Sequence, residues 1–129
     1  MREVSEIPGI RWIRILYAYP SYFSDELIDE IAANPKVCKY IDIPLQHISN
    51  LVLLSMMRPP RQYTVDLLQK LRDRIPGLAL RTSFICGFPG ETAEQHEELV
   101  QFCADFRFER MGAFAYSRED GTPAAGMPE

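Results

Sequence analysis

Gly87-Phe88-Pro89-Gly90-Glu91-Thr92 carries the densest chemical content of this 129-residue chain. Its two glycines let backbone approach a ligand, and Pro89 stiffens the turn between them. A helix starting just after it offers unpaired N–H groups. Glu91 stands at that helix entrance, placed either to contact a cofactor or simply to complement the helix dipole. The spacing matches neither G-x-G-x-x-G nor the P-loop, which disfavours a dinucleotide or nucleoside triphosphate cradle.

Three further stretches hold polar groups where chemistry could occur. In Pro44-Leu45-Gln46-His47, Gln46 brings two donors and an acceptor suited to a ribose or a carboxylate. His47 could be an acid–base group or a ligand, or it could cap the next helix at the rim. Arg81 and Ser83 interrupt an otherwise apolar strand. They either alternate into a polar interior facing a ligand or mark a partly covered face. Tyr116 opens the stretch Tyr116–Thr122, where its ring could stack on an adenine or pack on the rim. His96 reads as a helix-surface residue, and Glu119-Asp120 as a solvated turn. Phe102, Phe106, Phe108 and Phe114 read as core.

Composition and charge narrow the classes. The formal charge of −4 gives no global basic footprint, and Arg58, Arg61, Arg72, Arg74 and Arg81 form no compact cluster in sequence. They read as solvated faces rather than a nucleic-acid surface. Cys38, Cys86 and Cys103 show no C-x-x-C or Cys/His ligand spacing, so the chain holds no self-contained zinc or iron–sulfur motif and no disulfide framework. Reduced thiols and a cytoplasmic setting are expected. The first ten residues carry Arg2, Glu3 and Glu6 and resemble neither a signal peptide nor a membrane span.

Positioning these groups falls to alternating strands and helices. Strands are expected at 12–17, 40–43, 78–86 and 111–116. Between them fall helices: one capped by Ser24, a short one over 50–57, one capped by Thr64 with Val65, Leu68, Leu71 and Ile75 facing inward, and one capped by Thr92. Gln95 completes a capping box with Thr92, and Leu99, Val100, Cys103 and Phe106 form a buried stripe. The order β-α-β-α-α-β-α-β predicts an α/β fold with a parallel sheet, a single domain over 1–129. The sheet is either open and doubly wound or part of a (β/α) barrel. A closed barrel needs roughly 250 residues, so about four βα units would make only part of one. Both folds place ligands at the carboxyl ends of the strands, which selects the loops at 19–23, 44–49, 87–91 and 117–122.

The strings themselves carry a family resemblance. Arg81 to Thr92 resembles the G-F-P-G-E-T segment of the radical S-adenosylmethionine methylthiotransferases, and Tyr40 to His47 resembles their segment after the preceding strand. Arg107 to Ser117 and Gly121 to Ala124 resemble their closing strand and loop, and Trp12 to Ser21 an earlier strand. Leu45-Gln46-His47, Arg58-Pro59 and Phe114-Ala115-Tyr116-Ser117 are most similar to the branch that adds a methylthio group to the β-carbon of an aspartate in a small-subunit ribosomal protein. The transfer-RNA branch is the alternative substrate class, and a non-catalytic binding module the alternative from outside enzymes.

The resemblance implies a partial parallel barrel of the radical S-adenosylmethionine type, S-adenosylmethionine as cofactor, and two 4Fe–4S clusters. It also implies cofactor-binding roles for Gln46, Arg81, Ser83, Gly87, Glu91 and Tyr116. Two departures stand out. In the pattern G-x-I-x-G-x-x-E, Ser83 takes the first position and Gly90 the last, with Glu91 one later. The C-x-x-x-C-x-x-C cluster motif does not occur in these residues. The expectations are therefore the later half of a barrel, inactive without a cluster-binding part as partner, with open edges that favour aggregation. No association with a membrane is expected.

Overall fold

The structure, a computed structural model, describes residues 1–128. Four strands, β1 (Ile13–Ile15), β2 (Val37–Asp42), β3 (Ala79–Cys86) and β4 (Arg110–Ala115), form one sheet in the order β1-β2-β3-β4. Every pairing is parallel. A doubly wound sheet reverses its strand order at a switch point. This one never does, so each strand lies beside its chain successor as in a barrel wall.

Five α-helices accompany the sheet: α1 (Arg2–Glu6), α2 (Asp25–Ala33), α3 (Asn50–Ser55), α4 (Arg61–Arg74) and α5 (Ala93–Phe106). The Ser24 side chain accepts from the Leu27 N–H at the start of α2. Thr92 and Gln95 form the expected capping box on α5, together satisfying two of its free donors. For α4 the expectation fails. Thr64 is buried inside the helix, which starts three residues earlier. Pro60 has the fixed φ suited to a helix entrance, and the Arg61 N–H donates to Asn50 Oδ1 at 2.9 Å. The acceptor thus comes from α3, a tertiary cap with no local signal.

The core lies between the sheet and α2, α4 and α5. Ile28 and Ile31 of α2, Leu68 and Leu71 of α4, and Ile41, Leu80 and Phe84 of the strands are all at most 1% exposed. On α5 the buried residues are Leu99 and Phe102, whereas Val100 is exposed. The inward stripe therefore runs through 99 and 102, displacing part of the expected one. Phe114 also leaves the expected core, being 58% exposed on β4. That strand has a partner on one side only.

Strand alternation then defines the other face. In β3, Leu80, Thr82 and Phe84 are buried against the helices, while Arg81, Ser83 and Ile85 are only half-buried on the opposite side. A period of two puts those three on one face.

Candidate functional site

The far face of the sheet and the loops after its strands enclose a cavity of about 530 Å³. Tyr17, Gln46, Arg81, Ser83, Phe114 and Tyr116 are among its walls. Gln46, Arg81, Ser83 and Tyr116 therefore come together as the sequence leads one to expect. Gly87 and Glu91 do not reach this wall; both belong to the turn behind it.

Gln46 is held in an unusual backbone state. Its φ is +73°, in the left-handed region that costs a non-glycine residue roughly 1–2 kcal/mol. Two bonds to β3 fix it there. The Gln46 N–H donates to Ser83 O at 2.9 Å, and the Ile85 N–H donates to Gln46 O at 2.8 Å. This kink separates adjacent side chains. Gln46 lines the cavity, whereas His47 is fully buried on the other side.

The charged residue on β3 has the partner its burial demands. Arg81 Nη1 donates to both carboxylate oxygens of Asp42, each at 2.9 Å. Register explains the contact, because Asp42 and Arg81 are directly paired on β2 and β3. The Asp42 side chain is 8% exposed and that of Arg81 36%. Arg81 thus lines the cavity, with its carboxylate partner buried beside it.

Glu91 is turned inward. Its Oε2 accepts from the Gly87 N–H at 2.5 Å and the Phe88 N–H at 3.0 Å. Its Oε1 lies 3.3 Å from His47 Nε2 and 3.2 Å from His96 Nδ1. The side chain is 3% exposed. The His47 tautomer follows from its other nitrogen: the Ser49 N–H donates to Nδ1 at 3.0 Å, leaving the proton on Nε2. That Nε2 is buried and makes no aligned hydrogen bond, so its contact with Glu91 is one of charge and proximity. His47 therefore serves the start of α3, but from the interior rather than the rim. His96 is half exposed, as its place on α5 suggests.

Burial by itself would raise the Glu91 carboxyl. The contact with His47 and the N–H groups of Phe88 and Gly87 outweigh it, so the group lies below its ordinary value of 4.5. A depressed carboxylate stabilises the fold fully above the unfolded value and loses that contribution as pH falls through the folded one. In urea titrations, Glu91→Gln is expected to be destabilised at neutral pH, with the gap to wild type closing below about pH 4.5. A gap independent of pH would contradict the ionised form in the turn.

Gly87 and Gly90 have φ of +75° and +84°, and nothing lies within 4 Å of a Cβ built on either. Their role is conformational, letting the turn fold back so that Glu91 reaches its own N–H groups. Cys86, at the end of β3, is not an activated nucleophile. Burial first, and then the Glu91 charge, push its thiol up from 9.0.

Besides His47 Nε2, two buried polar atoms have no hydrogen-bond partner among the described residues: Tyr116 Oη and Arg58 Nη1. Tyr116 packs edge-on against Phe88, with ring centroids 5.5 Å apart. Arg58 sits 5.1 Å over the Tyr19 ring and lines a smaller cavity of about 240 Å³ with Gln46, Met57 and Phe88. Sequence reading placed Arg58 on a solvated face, and the structure corrects this. The available signal was Pro59-Pro60, which ends the preceding helical stretch and turns Arg58 back towards the loops. Arg72 is likewise not merely solvated, since it donates to the carbonyls of Phe106 and Arg107 at 2.6 and 2.7 Å.

Among the described residues, no group of three or more His, Cys, Asp or Glu side chains is placed to hold a metal ion. No helix of these residues is long and apolar enough to cross a membrane.

The profile of the Radical SAM superfamily matches residues 1–103. The chain belongs to this superfamily. Among solved structures, the radical S-adenosylmethionine methyltransferase TsrM from Kitasatospora setae, bound to cobalamin and a 4Fe–4S cluster, shares the fold with a TM-score of 0.73. That match has 23% identity and covers 96% of this chain and 25% of TsrM. Similar curated proteins include the ribosomal protein uS12 methylthiotransferases RimO of Pelobacter propionicus, 57% identical over 100% of this chain, and of Desulforamulus reducens, 52% identical over 99%. The radical SAM chain spans 29% of the length of each of these two relatives. The parallel α/β architecture expected from the sequence is thus the radical SAM one.

Proposed function

We propose that this chain is the portion of a ribosomal-protein methylthiotransferase that holds S-adenosylmethionine during addition of a methylthio group to an aspartate β-carbon of uS12. The observation that carries this reading is the 57% identity across the whole chain to a protein of that name. The site is consistent with it. Two adjoining cavities at the carboxyl ends of parallel strands, which share Gln46, with a partnerless buried tyrosine hydroxyl at one and a partnerless buried guanidinium N–H at the other, suit a ligand with ribose oxygens and an amino-acid carboxylate. When bound, S-adenosylmethionine supplies hydrogen-abstraction chemistry on one-electron reduction of its sulfonium.

The chain's own residues bind and orient. Gln46 offers both donor and acceptor to a ribose edge. Arg81, neutralised in part by Asp42, gives a polar floor, and Ser83 adds a hydroxyl beside it. Tyr116, braced by Phe88, provides a flat wall for an adenine. Gly87 and Glu91 shape the turn behind these groups. The described residues do not fit a 4Fe–4S cluster, for Cys38, Cys86 and Cys103 form no ligand group. The reductive chemistry therefore belongs to residues other than these.

The test is a hybrid in which this chain replaces the matching segment of the Pelobacter propionicus relative, expressed in a host lacking its own uS12 methylthiotransferase. Mass spectrometry is expected to find a methylthio group on uS12. Its appearance on transfer RNA instead, or on neither, would overturn the proposal.

A further inference from the structure

The His47–Glu91 contact has no role in holding a ligand, since neither side chain lines a cavity. Yet it joins the two segments on which the proposed site depends. His47 follows Gln46, whose left-handed backbone must be over-determined by its surroundings to persist. Glu91 closes the turn containing Gly87 and Phe88, and Phe88 in turn supports Tyr116. Both side chains are nearly inaccessible, at 0% and 3%. A buried carboxylate requires partners, and this one has two backbone donors and the His47 ring nitrogen 3.3 Å away.

We infer that His47 and Glu91 form a buried brace that positions Gln46 and the Gly87–Glu91 turn as one ligand-holding unit. They are positioning residues: the ligand is touched by Gln46 and Tyr116, and the brace acts through them. Each partner is anchored at both ends, His47 by the Ser49 N–H and Glu91 by its own turn. Movement of either loop alone therefore opens the His47–Glu91 contact. His96, the third member, is half exposed and contributes from the surface side. This inference rests on the S-adenosyl reading of the cavity only for its binding arm.

Side-chain geometry supplies the test. In His47→Asn the amide oxygen can still accept from the Ser49 N–H, as Nδ1 does, but nothing reaches Glu91. In His47→Gln the longer side chain can place an N–H near the position of Nε2. Both variants, and Glu91→Gln, are made in the reconstituted hybrid described above. Amide hydrogen exchange is read at Gln46, Ile85, Gly87 and Phe88, and S-adenosylhomocysteine binding by equilibrium dialysis.

For His47→Asn, exchange is expected to quicken and the Kd to rise, each by about tenfold, the order of removing one polar neighbour from a buried group. His47→Gln should recover most of both losses. A His47→Asn variant indistinguishable from wild type in both readouts would overturn the brace and leave His47 as a cap for α3 alone. Should that variant not fold, Glu91→Gln decides, since it leaves the cap intact: unchanged exchange at Gln46 and Ile85, whose N–H groups fix the segment before His47, overturns the brace. If the unsubstituted hybrid does not bind S-adenosylhomocysteine, the cofactor reading fails, while the exchange arm still decides the brace.

Discussion

Replacing Phe84 with alanine is expected to lower the unfolding free energy by about 3–5 kcal/mol. The ring is 1% exposed in the middle of β3 and meets Phe108 edge-on at 5.9 Å. Its removal leaves a cavity that the surrounding strands and helices can fill only partly, adding a packing loss to the lost transfer energy. The effect reaches the site, because Phe84 is the residue bridged to Gln46. Urea unfolding at neutral pH provides the measurement, with Phe114→Ala as the control. Phe114 has similar chemistry but is 58% exposed on β4, and its loss should cost less than about 1 kcal/mol. Equal costs for the two would contradict the placement of the core on the helical side of the sheet.

That pair of phenylalanines also shows what the sequence can and cannot reveal. Phe114 reads as core from sequence, and Phe84 lies in the apolar strand that Arg81 and Ser83 interrupt. The strand assignment held, but exposure depends on what lies across the sheet, and no local pattern records that. Arg81 and Ser83 were more informative, because polar residues at alternate positions in an apolar strand declare a face. The capping box at Thr92 was legible for a similar reason: both partners lie within one turn. Thr64 misled because the acceptor at the start of α4 is Asn50, eleven residues upstream in another helix.

Glu91 followed the same rule. The sequence placed it at a helix entrance, but only the fold brings His47 against it from forty-four residues away in the chain. Gln46 was found through its amide chemistry, whereas its positive φ had no signal, since glutamine is not a residue that advertises one. Arg58 was missed because a sequence shows the charge of a guanidinium but not whether its N–H groups find partners.

Arg81→Met is expected to destabilise the chain by about 3 kcal/mol, near the lower end of the range for breaking a buried ion pair. The lower end applies because the Arg81 side chain keeps 36% of its surface accessible, which weakens the pair, while Asp42 at 8% is left buried with no other side-chain donor. Most of the cost is thus the stranded carboxylate rather than the lost attraction. The double variant Asp42→Leu/Arg81→Met removes that carboxylate and should recover most of the loss, a coupling that urea unfolding of the four proteins measures. Single and double variants that are equally unstable would show that Arg81 acts through packing of its stem. Recovery of stability has a functional corollary. An apolar pair at this site would keep the fold and remove the polar floor of the cavity. Binding of S-adenosylhomocysteine in the hybrid should therefore stay weakened in the double variant although its stability returns. That separation would mean that the ion pair is retained for what it presents to a ligand, since an apolar substitute serves the fold as well.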